Sequence, residues 1–104
     1  MNIEHLNSEN FNNFISQEGV VLVDFFATWC APCKMMSFEI EDFANENADI
    51  KVGKVDVDDC NDIAGEYGIM SIPTLIVFKN GVQVDKSVGY LTKDQINELV
   101  LKNK

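Results

Sequence analysis

Residues 20–34 read VVLVDFFATWCAPCK. The run Val20 to Ala27 is apolar and β-prone except at Asp24, the composition of a central strand buried on both faces. It leads directly into two cysteines, Cys30 and Cys33, separated by Ala31 and Pro32. Proline suits the first turn of a helix, where its missing N–H costs nothing. From there Cys33, Met36, Ile40, Phe43 and Ala44 recur on one face at helical spacing. A buried strand that turns into a helix across a cysteine pair predicts an α/β fold.

The flanking sequence repeats the alternation. Ile3 to Leu6 reads as a short strand, and Asn7 or Ser8 can cap a helix with the stripe Phe11, Phe14 and Ile15, ending before Gly19. Ile50 to Val57 reads as another strand. Asp58 or Asp59 can cap a short helix whose inner side carries Cys60, Ile63, Ala64 and Tyr67, closed by Gly68. Thr74 to Phe78 and Val82 to Val88 are strands joined through Lys79-Asn80-Gly81, an antiparallel hairpin by its Asn-Gly pair. Thr92 with Gln95 forms a capping box for a last helix lined by Ile96, Leu99 and Val100. The order is βαβαβαββα, an α/β layer protein with a mixed sheet.

With 104 residues and 46% hydrophobic composition, the chain suits one domain over residues 1–104 with a packed core. Eight lysines, no arginine and seventeen acids give a formal charge of −9, a field that repels nucleic acid and anionic lipid. The first residues lack a basic start and an apolar stretch, and no run is long enough to span a bilayer. A cytoplasmic protein without nucleic-acid or membrane partners is expected. Three cysteines cannot close a disulfide framework, so a metal or catalytic role outranks a structural bridge.

A helix starting at residue 31 or 32 puts Cys30 at its N-terminal boundary, where unpaired N–H groups and the helix dipole stabilise a thiolate. Cys33, one turn on, points inward. One thiol can then attack a disulfide and the other resolve the mixed disulfide. The same spacing is half of many zinc sites, but zinc needs about four ligands. Here only Cys60, which fits an apolar helix stripe, and His5, in a short edge-like strand, could join the pair. No second CxxC exists and no metal is expected. Asp24 is an acid in a buried strand, where an unpartnered charge costs several kcal/mol. It is either bonded to a backbone amide or, with its pKa raised by desolvation, a proton acceptor or donor for Cys33.

The segments VDFFATWCAPCK, KVDVDD, SIPTLIVFKNG and VGYL resemble the thioredoxin family, in the right order and over essentially the whole chain. The resemblance implies a five-stranded sheet of order 1-3-2-4-5 with helices on both faces. It also implies reduction of protein disulfides, with a redox-active Cys30–Cys33 disulfide in place of a cofactor. Thioredoxin reductase and disulfide-containing client proteins are the implied partners, and a monomer is expected. By position, Cys30 is similar to the exposed nucleophile and Cys33 to the resolving thiol. Asp24 is similar to the aspartate that assists Cys33 through a water, and Lys54 to its neighbouring lysine. Trp29 and Pro32 flank the cysteines, Pro73 resembles the cis-proline beside them, and Ile72 offers backbone pairing to substrate. Val88 and Gly89 resemble the rim of the contact surface.

Several positions depart from the family pattern. Ala31 stands where glycine is usual, Phe26 where tryptophan is common, and Phe38 where many members carry a helix-kinking proline. Tyr90 and Met70 add apolar bulk to the rim. Two other functions stay open: a dedicated reductant of one pathway, and a non-catalytic binding subunit of the same fold, which the retained cysteine pair and Asp24 argue against.

Overall fold

The computed structural model describes residues 3–104. Its elements are β1 (Ile3–His5), α1 (Phe11–Ile15), β2 (Val20–Phe26), α2 (Ala31–Glu46), β3 (Lys51–Asp56), α3 (Asn61–Glu66), β4 (Thr74–Lys79), β5 (Val82–Val88) and α4 (Lys93–Leu101). The strands form one sheet in the order β1-β3-β2-β4-β5. β3 runs parallel to β1 and β2, whereas β4 is antiparallel to β2 and β5. This is the βαβαβαββα order expected from the sequence.

Side chains of a strand alternate between faces, and β2 shows what that alternation achieves. Val20 and Leu22 join Val52, Leu75 and Val77 under Met36, Ile40 and Phe43 of α2 and Ile96 and Val100 of α4. Val21, Val23 and Phe25 face the other way, packing with Phe11, Phe14 and Ile15 of α1 and Ile63 of α3. The strand is apolar on both faces because both are covered. By the same parity Asp24 falls on the α2 side, under the end of the helix that carries the cysteines.

The caps divide into two groups. At α4 the Thr92 side chain accepts from the Gln95 N–H, and the Gln95 side chain accepts from the Thr92 N–H, so the capping box forms. Asn80 (φ 52°) and Gly81 (φ 84°) carry the left-handed backbone of the hairpin turn. Two other caps differ from expectation. α1 begins at Phe11 with Asn10 at the N-cap and no side-chain cap bond. The Asn7 side chain is occupied one turn earlier, accepting from the Glu9 and Asn10 N–H groups. α3 takes Cys60 as N-cap, again without a side-chain bond. Asp58 is drawn away by the Trp29 indole, whose Nε1 donates to its carboxylate at 2.8 Å. Tyr67 is the C-cap of α3 and lies on its inner side, its ring packed against Phe11 and Phe78.

Candidate active site

The break between β2 and α2 puts Cys30 at the helix N-cap in an extended conformation, with Ala31 and Pro32 opening the first turn. The Cys30 sulfur accepts a hydrogen bond from the Cys33 N–H at 3.3 Å. An N–H that would otherwise lack a partner in the first turn thus points at this sulfur, and it favours negative charge there. Cys33 lies on the buried stripe of α2 with Met36 and Ile40. A disulfide joins Cys30 to Cys33, whose Cα atoms are 5.2 Å apart.

One expectation is corrected here. Cys30 is not an exposed residue: it is 6% accessible, against 3% for Cys33. Both sulfurs sit in one small cluster with Ala27, bordered by Phe26, Val57 and Ile72. Bonding to an inward residue draws Cys30 into the same cover. What separates the two cysteines is therefore their relation to the helix terminus more than their exposure.

Ile72 and Pro73 come from the loop before β4. The Ile72–Pro73 peptide is cis, and the loop is tied by a 2.6 Å bond from the Thr74 hydroxyl to the Ser71 carbonyl. The Pro73 carbonyl accepts from the Gly89 N–H at 2.8 Å, and Val88 lies opposite Thr74 in the β4–β5 register. Sequence-distant Ile72, Pro73, Val88 and Gly89 are thereby brought together, with Ile72 against the cysteine cluster. Gly89 has φ +103°, a backbone that side chains rarely adopt, so glycine is favoured there for conformation. Trp29, 70% exposed, is anchored on its other side by Asp58. Asp58 as the partner of Trp29 was not legible in sequence, where it reads as a helix cap. Pro32 is exposed on the first turn of α2, and Met70, 96% exposed, extends the apolar rim.

Asp24 is 1% exposed, and its Oδ1 has no hydrogen-bond partner. The alternative of an aspartate satisfied by a backbone amide therefore does not hold for that oxygen. Burial pushes its pKa up from the ordinary 3.8 to about 7, with the Lys54 charge pulling the other way. Lys54 is the direct neighbour of Asp24 in the β2–β3 register, yet among the described residues no ion pair forms between them. Its ammonium instead lies 4.6 Å from the centre of the Phe26 ring and donates to the Ser37 hydroxyl at 3.3 Å. Lys54 borders an open groove of about 550 Å³ that reaches Cys33 and is lined also by Phe26, Ser37, Phe38 and Glu41. Phe38, in place of a kinking proline, leaves α2 continuous over 16 residues and is itself exposed.

The third cysteine stands apart. Cys60 is free and buried in the core of the α1–α3 face, its thiol directed at the Leu6 carbonyl at 3.7 Å. His5 is exposed on β1.

Known proteins share this arrangement along their length. The thioredoxin family profile matches residues 2–102. Among curated relatives, the thioredoxin of Chlamydia caviae is 46% identical over 98 residues, covering 94% of this chain and 95% of its own. That of Bacillus subtilis is 49% identical over 89 residues, covering 85% and 86%. Among solved structures, a mutant thioredoxin from Halobacterium salinarum superposes with a TM-score of 0.89 at 35% identity, covering 96% of this chain and 88% of that one. Plasmodium falciparum thioredoxin gives 0.89 at 33% identity, covering 97% and 99%. These matches run end to end instead of resting on the cysteine motif alone, so they carry fold and chemistry together: the chain belongs to the thioredoxin family and is a thiol-disulfide oxidoreductase that reduces protein disulfides.

Proposed function

We propose that Cys30 is the nucleophile of this reductase and Cys33 its resolving thiol. The supporting observation is the Cys30 sulfur at the N-cap of α2, facing the Cys33 N–H, while Cys33 sits on the buried stripe. In the reduced protein the Cys30 thiolate attacks one sulfur of a client disulfide; a Cys30–client bond forms and the client's second sulfur leaves as a thiolate. Cys33 then gives its proton to the Asp24 carboxylate and attacks the Cys30 sulfur. The Cys30–Cys33 bond forms, the Cys30–client bond breaks, and the client departs with two thiols once its thiolates take up protons. The client has gained two electrons and the protein has lost two. A pKa near 7 suits Asp24 to accept a proton at neutral pH and release it again.

Ile72 is the edge on which an extended client segment can pair its backbone. Trp29, Pro32, Pro73, Val88 and Gly89 form the contact surface around it. Electrons return through a thioredoxin reductase, no cofactor beyond the cysteine pair takes part, and the protein works as a monomer in the cytoplasm. Among the described residues no helix is long and apolar enough to cross a membrane. The unusual bulk of Met70 and Tyr90 favours a second reading, a reductant dedicated to a narrow set of clients with an apolar surface.

Insulin reduction coupled to NADPH and a thioredoxin reductase tests the assignment. Wild-type protein turns over, and Cys30→Ser abolishes turnover; full activity in Cys30→Ser would sink the nucleophile assignment.

A further inference from the structure

Among the described residues no ion pair joins Asp24 to the lysine beside it, although the Lys54 charge still pulls the Asp24 pKa down. Asp24 and Lys54 are paired across β2 and β3, and the Asp24 Oδ1 is an acceptor without a partner. A lysine side chain is long and flexible, and an opposite charge within about 4–6 Å would hold the carboxyl ionised well into acid. Two groups contact the ammonium, and a third is linked to it through Ser37. The Phe26 ring lies 4.6 Å from it, the Ser37 hydroxyl accepts from it at 3.3 Å, and Ser37 in turn donates to Glu41 Oε2, a long bond of 3.5 Å. Ser37 and Glu41 are one turn apart on α2 and line the groove that Lys54 and Cys33 also border. Glu41 adds a negative charge to the groove side.

Among the described residues, Lys54 is the charge that acts on the Asp24 carboxyl. From β4 its cross-strand partner is Leu75, and the buried stripe of α2 contributes Cys33, Met36 and Ile40. The charged side chains of the groove are Lys34, Glu41 and Lys54.

We propose that Ser37 and Glu41 are positioning residues that hold the Lys54 ammonium on the groove side, out of an ion pair with the Asp24 carboxyl, and so set how strongly Lys54 acts on Asp24. The inference rests on the proton-transfer reading of Asp24 given above. The two residues act on the resolving step through Lys54 and Asp24. Neither was legible as functional in the sequence, because their link to Lys54 crosses from α2 to β3.

The test follows the Asp24 carboxyl carbon by NMR through a pH titration of the full-length oxidised protein. Ser37→Ala frees Lys54 without changing the net charge, and the Asp24 midpoint then falls by at least about half a pH unit. Glu41→Gln moves it in the same direction. Lys54→Met raises it, and in that background Ser37→Ala has no further effect, since the path through the lysine is gone. An Asp24 midpoint unchanged or raised in Ser37→Ala overturns the proposal. So does a fall of the same size when Ser37→Ala or Glu41→Gln is made with Lys54 already removed, which for Glu41→Gln would be through-space charge only. The pH profile of mixed-disulfide resolution, compared between wild type and Asp24→Asn, separates the two readings. An unchanged profile would overturn the proton-transfer role of Asp24, while the carboxyl titration would still decide whether Ser37 and Glu41 position Lys54.

Discussion

Asp24 is an acid kept inside an apolar strand at a cost in stability. Its carboxyl is buried on the α2 face of a strand otherwise made of valine, leucine and phenylalanine, with one oxygen unpartnered. Between its ordinary 3.8 and about 7, the folded protein still holds the proton that the unfolded chain has released. The folded state binds more protons over that window, so stability falls as pH rises through it, and the loss is complete above the folded pKa. Asp24→Ala removes the effect. Its stability relative to wild type, from urea unfolding of the oxidised proteins, therefore improves between about pH 4 and pH 8 by roughly 3–4 kcal/mol. A difference that stays constant over that range contradicts a buried carboxyl titrating near 7. An acid inside an apolar run is visible in the sequence as an anomaly. The lysine opposite it, turned toward Ser37 and Phe26, is not, because strand register and rotamer decide that together.

At the scale of elements, what could be read from the sequence was local. The apolar run of β2, the stripe of α2, the Asn80-Gly81 turn and the Thr92-Gln95 box each depend on residues within one or two turns of each other. Each is found where its pattern puts it. The starts of α1 and α3 were misread because Asn7 and Asp58 spend their side chains on other partners, one on its own turn and one on an indole 29 positions away. The near-complete burial of Cys30 was missed for a similar reason: its cover comes partly from Val57 and Ile72, remote in sequence. Close approach between elements also sets limits that local pattern does not reveal. A Cβ added to Gly53 in β3 would lie 2.6 Å from Leu6 Cδ1 and 2.8 Å from Phe14 Cε2, both on buried side chains. Gly53→Ala is accordingly expected to cost about 1–3 kcal/mol in urea unfolding through overpacking. Insulin reduction should persist in the folded fraction, because the clash lies on the α1 side of the sheet. Unchanged stability would mean that the α1 cluster yields without loss.

On the scale of the whole molecule, the sheet order places three separate pieces of chain at one end. The β2–α2 turn brings the cysteines, the loop before β4 brings Ile72 and cis Pro73, and the end of β5 brings Val88 and Gly89. Family resemblance gave that assembly in advance, whereas periodicity alone gave only the elements and the asymmetry of Cys30 and Cys33 about a helix terminus. A chain of net charge −9 carries exposed Trp29, Met70, Val88 and Tyr90, so the proposed contact with clients is expected to be apolar more than electrostatic. The proposed cycle requires Cys30 to attack first and Cys33 second. Trapping measures this directly: reduced Cys33→Ser and Cys30→Ser proteins are mixed with a disulfide-bonded client, and covalent adducts are mapped by mass spectrometry. The account predicts a stable client adduct on Cys30 in Cys33→Ser and little or none on Cys33 in Cys30→Ser. Adducts forming on Cys33 as fast as on Cys30 would contradict it.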